Sequence, residues 1–360
     1  MADKKITELT VLETLSLDDL FVVVDSPAAS PVNMKITGAS LGKTFVLKEG
    51  DTRFNVYIGK NIAGAGTSEY CNVAIGYALL QSNTSGGYNV ALGNNCLYAN
   101  TTGIYNVAIG YGCLLRNTTG IRNVAIGYQA GSEGTNKTDC VAIGDQSLMC
   151  CPGSYNTAVG AISMWQLQNG EYNVALGWRA MSNPGAGNGN VYIGAEAGRY
   201  NNTGYYNVVV GFQALYSSGG PNYSTAIGYQ ALLSVGEGDY NVALGCKAGD
   251  NITSGSYNVI IGVDIDAPSA TASNQLNIGN IIFGVAIDGR GTTISSGKIG
   301  IGVISPNEKL EVDGVVRANA GFNVAGTAGI DAAFSILDGD GSTTHNFTFT
   351  KGLLTAYSTS

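Results

Sequence analysis

Hydrophobic and polar positions along most of this chain fall into one short pattern that keeps returning. Its unit is Asn-Val-Ala-Ile-Gly: one polar residue, three apolar positions of alternating size, and a closing glycine. The unit occurs fourteen times between Phe54 and Gly279, its glycines running from Gly59 to Gly279. Twelve of the thirteen intervals are 17 residues, and one, Gly144 to Gly160, is 16. The position before the glycine is Ile, Leu or Val in every copy. Two positions earlier stands Val in eleven copies, with Thr157, Thr225 and Leu276 in the others. Alternation with period two predicts a strand. A one-residue slip would turn each strand's side chains to the opposite face, so a constant interval implies equal rungs stacked in register. The expected fold class is all-β, an elongated parallel β-roll or β-solenoid of 17-residue rungs.

The rung from Tyr105 to Gly120 shows the two faces. Val107 and Ile109 share one, Ala108 and Gly110 the other. The aliphatic face is expected to fill the core. Alanine holds the small face in nine copies, where a solvated strand would more often carry Thr, Lys or Glu. That face is therefore expected to lie against the backbone of a neighbouring subunit. A second apolar segment follows, as in Ala214-Leu215 and Ala231-Leu232. Each rung then turns through Asn-Thr-Thr-Gly (100–103, 117–120), whose residues tolerate left-handed or tight geometry. Asparagine stands four before the glycine in eleven copies and tyrosine precedes it in eight, which predicts an Asn ladder and a Tyr ladder. Thirteen steps of about 4.8 Å give a shaft roughly 60 Å long. The short interval, beside Cys150-Cys151-Pro152, marks where the shaft is expected to be irregular.

Composition narrows the picture. Among 360 residues there are 52 glycines but only 12% charged residues, too little charge and too regular an aliphatic pattern for a disordered chain. Glycine does not recur every third residue, which excludes collagen. The net charge of -8, without Lys/Arg clusters, argues against a nucleic-acid partner. The start lacks the apolar run of a signal peptide, and no apolar stretch nears about 18 residues, so cytosolic synthesis without membrane insertion is expected. Seven cysteines, an odd number, lack metal-ligand spacing. Cys96 and Cys113 lie where other rungs carry Ala130, Ser147, Ala180 or Ala214, and read as small buried side chains. Cys150 and Cys151 read as loop residues.

Little catalytic chemistry is on offer. His345 is the single histidine, which excludes sites built on several. Asp338-Gly339-Asp340-Gly341 looks like half a calcium loop but lacks the downstream Glu, and reads as a turn. The carboxylate pairs Asp264/Asp266, expected to alternate on a strand, and Glu237/Asp239, in a turn, read as solvated acids. Gly185 to Gly189 lacks the Lys-Ser/Thr of a phosphate loop and reads as a rung corner. Sequons at Asn117 and Asn251 read as turn chemistry. Ile109 is followed by Leu114 five positions later, against the six-residue period of hexapeptide acyltransferase coils, and the strands lack the Thr-x-Thr ladders of ice binding. No catalytic residue, cofactor or metal is expected.

The Asn-Val-Ala-Ile-Gly-Tyr repeats resemble the head repeats of trimeric adhesins, which form left-handed parallel β-rolls of three chains. They are more similar still to repeats of bacteriophage tail fibres. Lys5-Ile6-Thr7-Glu8-Leu9, the run from Asp18 to Asp25, and the run from Lys35 to Leu41 resemble the segment by which such fibres are tethered to the virion. Ile299-Gly300-Ile301-Gly302 and the run from Ser305 to Gly314 resemble the shaft that precedes a self-cleaving chaperone in fibres and tailspikes. Here the chain reaches Ser360 without that chaperone, so trimerisation is expected either to need none or to use a clamp in the ending itself, from His345 to Thr355.

The resemblance implies a homotrimer with a virion-attachment domain (1–50), a repeat shaft (51–279), an interlocked triple-stranded β segment (280–330) and a C-terminal tip (331–360). It implies a virion-located structural fibre, assembled in the host cytoplasm and docked on a tail or baseplate protein. The fibre would present a trivalent surface to a host glycan or protein. Asp338, Asp340 and His345, or turns such as Ser182 to Gly189, are the candidate binding residues. The alternative is a tailspike that cleaves surface polysaccharide through a carboxylate pair such as Asp264/Asp266.

Overall fold

The computed structural model describes residues 55–62 and 71–316, apart from 167, 184, 186, 202 and 218. It also describes the strands Lys35–Gly38, Lys43–Val46, Ala332–Leu337, Thr344–Thr350 and Leu353–Thr359. The described residues contain no helix. The chain divides into two units, 1–311 and 312–360.

In the first unit, fourteen short strands from Val56–Lys60 to Leu276–Ile278 stack in parallel, one to a rung. They form a β-solenoid with an offset of 17 residues, as in Val107↔Val124, Ala108↔Ala125 and Ile109↔Ile126. The 16-residue interval does not disturb this ladder, because Val141 still pairs with Thr157 and Ile143 with Val159. The missing residue comes out of the corner between Leu148 and Tyr155, so the expected irregularity is confined to a turn.

Antiparallel strands cover both edges of the stack. Lys43–Val46 pairs with the first parallel strand (Phe45↔Ile58), and Ile282–Val285 pairs with the last (Asn277↔Phe283). An exposed sheet edge invites uncontrolled pairing, and these strands remove it. The second unit contains a three-stranded antiparallel sheet with a bulge at Thr348/Phe349.

The two faces of the strand are reversed from the sequence reading. Ala74, Ala91, Ala108 and Ala125 are fully buried, whereas the flanking Val and Ile are half-exposed. Alternation reports that two faces exist but not which one points inward. What decides is the girth of the coil. From Gly76 to Gly245, the residues two and four after each repeat glycine, and the one five before it, all have φ between +46° and +68°. In one rung these are Gly112, Leu114 and Arg122, so three left-handed corners bend the chain sharply back on itself. The resulting interior is so narrow that the strand contributes alanine in nine of the fourteen rungs, facing Leu80, Leu97 or Leu114 and the small Cys96 and Cys113. The left-handed residues are thus mainly tyrosines, leucines and polar residues such as Gln129, Gln146, Gln213 and Gln230, not the Asn-Thr-Thr-Gly segment.

The small face meets the same chain's next rung rather than a neighbouring subunit. A Cβ built on Gly110 would lie 2.0 Å from the carbonyl oxygen of Gly127, and its φ of +131° is open only to glycine. The same contact recurs from Gly59 to Gly245, which accounts for the glycine in those rungs.

Interior volume is balanced rung by rung. Where the strand alanine becomes Tyr192, the facing leucine register becomes Gly198, and a Cβ there would sit 2.0 Å from the tyrosine Cε1. Gly249 likewise faces Ile252 and Ile260, and Gly131 faces the Lys137 ammonium.

Buried asparagines form the predicted ladder. Asn106 Nδ2 donates to Gly120 O (2.9 Å) and to Asn89 Oδ1 (3.1 Å), while its own Oδ1 accepts from the N–H of Asn123 (3.0 Å). The amide thereby satisfies corner groups that the narrow coil shields from water. A second ladder joins Asn117 to Asn100 and Asn100 to Asn83.

Candidate interaction faces

Because Ala and Gly point inward, Val, Ile and the residue after the glycine all point outward from one strand. In the strand Val107–Tyr111 these are Val107, Ile109 and Tyr111. Stacking repeats this triplet up the sheet, giving a strip three side chains wide. Ile75, Ile193, Val208 and Ile227 are among its more exposed aliphatic members, and Tyr77, Tyr128, Trp178, Phe212 and Tyr229 line one margin. Rings stack along that margin, Tyr111 on Tyr128 at 5.3 Å and Phe212 on Tyr229 at 5.7 Å. At about 4.8 Å per rung and 3.3 Å per residue, the strip is roughly 60 Å by 13 Å. Lys60, Asn94, Asp145 and Asn280 interrupt its outer margin, while the Val column is broken only by Thr157, Thr225 and Leu276.

Beside it runs the Tyr ladder at the left-handed corner five residues before each glycine. Tyr88 stacks on Tyr105 (4.9 Å), Tyr155 on Tyr172 (4.8 Å), and Tyr206, Tyr223, Tyr240 and Tyr257 form a column. Between Tyr105 and Tyr155 the register holds Arg122 and Asp139, joined by two hydrogen bonds of 2.6 and 2.8 Å. At the far end the Arg290 guanidinium lies 4.4 Å from the Tyr257 ring centre. Holding a non-glycine residue left-handed costs roughly 1–2 kcal/mol. Ring stacking, at about 0.5–1.5 kcal/mol per pair, offsets part of that.

Of the sequence candidates, Asp338 and Asp340 lie outside the described residues. His345 sits on the strand Thr344–Thr350, opposite Ile336 and Thr359, and its side chain lies outside the described residues. Asp264 and Asp266 are not on a strand: Asp264 occupies a left-handed corner with φ of 55°. Asp250, which the sequence did not single out, has its carboxyl pushed up by burial and by the nearby Asp266 carboxylate. Asp239 accepts from the N–H and the amide of Asn222 and works as a ladder member. In the segment Ser182 to Gly189, Ser182 and Gly187 are buried, and Gly189 occupies the Tyr-ladder register. Among the described residues no group of three or more His, Cys, Asp or Glu is placed to hold a metal, and no helix is long and apolar enough to cross a membrane.

Cys96 and Cys113 are buried as expected. Their thiols donate to Gly110 O (3.2 Å) and Gly127 O (3.0 Å), one rung apart. Hydrogen bonding to Cys113, then burial, pushes the Cys96 thiol far up, so it is an inert core group. Cys151 lies in a loop, as expected, but is fully buried there, and burial pushes its thiol up to about 12. Near it lies Lys137, a feature the sequence reading missed. Its Nζ is enclosed in the core, donating to Gly131 O (2.8 Å) and Leu148 O (3.2 Å), and burial pulls its pKa down to about 8. The signal was present, since Lys137 stands at the register of Gly103 and Gly120, and Gly131 replaces a leucine in the same rung.

No family model, curated protein or solved structure matches this chain.

Proposed function

We propose that the chain is the subunit of a homotrimeric adhesive fibre of the bacteriophage tail-fibre class. In this reading the outward strip is the seam along which three copies associate, while the corners and tip remain available to a host surface. The observation that carries it is the outward strip of half-exposed Val and Ile, which runs the length of the stack with aromatic rings along stretches of one margin. Its area, roughly 800 Å², is about what each partner contributes to a stable interface. Three chains side by side in parallel keep their first rungs at one end and their last rungs at the other, as a rod between a virion and a cell requires. The resemblance of both chain ends to fibre segments supplies the class, and three weak contacts on one rod gain from effective concentration.

The purified chain is expected to migrate on a denaturing gel as a trimer of about 111 kDa, three times its 37.0 kDa, until boiled, and to adhere to susceptible cells. A chain that migrates only as a monomer and adheres to no cell would end this reading. The hydrolytic alternative keeps one observation, the raised Asp250 carboxyl beside Asp266. It requires release of reducing ends from host polysaccharide and loss of that activity in Asp266→Asn.

A further inference from the structure

The Tyr-ladder register runs from Cys71 to Asn274, and every residue on it is held left-handed, with φ from 51° to 68°. Each of these positions carries a side chain except Gly189. The ladder therefore has one missing ring, with Tyr172 on one side and Tyr206 on the other. Both tyrosines are covered on their far faces, by Tyr155 at 4.8 Å and Tyr223 at 5.3 Å. They are the most exposed members of the ladder, at 60% and 56%, against 42–51% for Tyr88, Tyr105, Tyr155, Tyr223 and Tyr240. Tyr206 also leans out of its column. It makes a 19° angle with Tyr223, where the Tyr223–Tyr240 and Tyr240–Tyr257 pairs make 5°. Its ring reaches over the bare glycine, so a Cβ at position 189 would sit 2.7 Å from its Cδ1.

We propose that this gap is a binding slot for one pyranose ring, held between the faces of Tyr172 and Tyr206. The Tyr206 ring leans into this space in the structure, and turning it upright, parallel to Tyr172, would open the slot to two rung steps, roughly 9.5 Å. A flat aromatic guest would need only about 7 Å, two van der Waals contacts of about 3.5 Å. A pyranose chair, thickened by axial hydrogens on both faces, fills the remainder, and its C–H bonds meet the electron-rich faces of both phenols. Glu171 precedes Tyr172, and Asn188 precedes Gly189 at the gap itself. Asn188 Oδ1 accepts from the Glu171 N–H (2.8 Å), which sets the amide beside the carboxylate-bearing residue. Carboxylate and amide supply the acceptors and donors that sugar hydroxyls need, at the rim of an apolar sandwich. Arg122–Asp139 fills the other break in the tyrosine column, so that break offers no such slot.

The inference deepens the adhesive reading and rests on it for the biological source of the sugar. Gly189→Tyr supplies the test, because tyrosine adopts the required left-handed backbone at eight other rungs and would restore the missing ring. Saturation-transfer NMR would be run on the full chain with methyl glycosides of glucose, galactose, N-acetylglucosamine and rhamnose, and with p-cresol as a flat probe. At least one glycoside is expected to receive saturation at its axial ring protons. That signal is expected to vanish in Gly189→Tyr and Tyr172→Ala and to persist in Tyr88→Ala. Absence of saturation from every glycoside, an unchanged signal in Gly189→Tyr, or saturation of p-cresol alone would each overturn the slot. Adhesion assays keep the two readings apart: cells that still bind Gly189→Tyr while glycosides give no signal leave the fibre reading standing without the slot.

Discussion

At the scale of single residues the interior works as a volume constraint renewed at each rung. Gly198 is glycine because Tyr192 fills the space that leucine takes elsewhere, and not because its backbone demands it: Leu215 and Leu232 hold the same left-handed corner. Gly198→Leu is expected to lower the thermal midpoint, as overpacking costs about 1–3 kcal/mol. Adding Tyr192→Ala should restore most of the loss by recreating the Ala/Leu pair of the other rungs. Additive effects in that double-mutant cycle would refute the volume argument. Lys137 makes a second prediction. Its folded pKa of about 8 lies below the unfolded value near 10.5, so between those values the unfolded chain binds more protons and stability rises with pH. Below pH 8 the buried ammonium costs the fold about 3 kcal/mol, and above about pH 10.5 that cost is gone. Urea unfolding across this range should show the rise in wild type and its loss in Lys137→Met.

At the scale of the rung, the asparagine ladder decides whether the corners close. Asn106→Ala removes the acceptor of the Asn123 N–H and the donor to Gly120 O inside a dry corner. Each orphaned group costs about 1–3 kcal/mol, so a fall of several kcal/mol is expected by urea unfolding, against less than about 0.5 kcal/mol for the exposed Thr102→Ala. Much of the rung was legible in the sequence. The 17-residue interval gave the in-register strands, and residues recurring at one register gave the Asn and Tyr ladders and the buried Cys96 and Cys113. Which face turned inward was not legible, because Val-Ala-Ile alternates identically either way. That choice is made by the left-handed corners, and tyrosine and leucine are residues whose intrinsic preferences give no hint of that conformation. The Tyr172–Tyr206 gap was legible as a bare Gly189 in a tyrosine register, but only once the register was known to stack ring on ring. The candidate pair Asp264/Asp266 failed as a strand pair because the chain turns a left-handed corner at Asp264, two residues after the repeat glycine.

At the scale of the whole molecule, the reversal of the faces moves the aliphatic positions from the core of one chain to its surface. Small residues fill much of the solenoid interior, and Val, Ile and Tyr build a half-exposed outward strip, which we propose is the seam between chains. On this account Ile109 and Ile126 contribute little to the fold of a rung and much to the association of three chains. Ile109→Lys with Ile126→Lys should therefore leave the β-sheet circular dichroism of the chain intact while placing charge in the centre of the seam, where a desolvated ammonium is severely penalised. Sedimentation equilibrium of the wild type and this double variant is the most direct test. The account predicts about 111 kDa for the wild type, three times the 37.0 kDa chain, and the mass of a single folded chain for the variant. A monomeric wild type, or a variant that keeps the trimer mass, would contradict it.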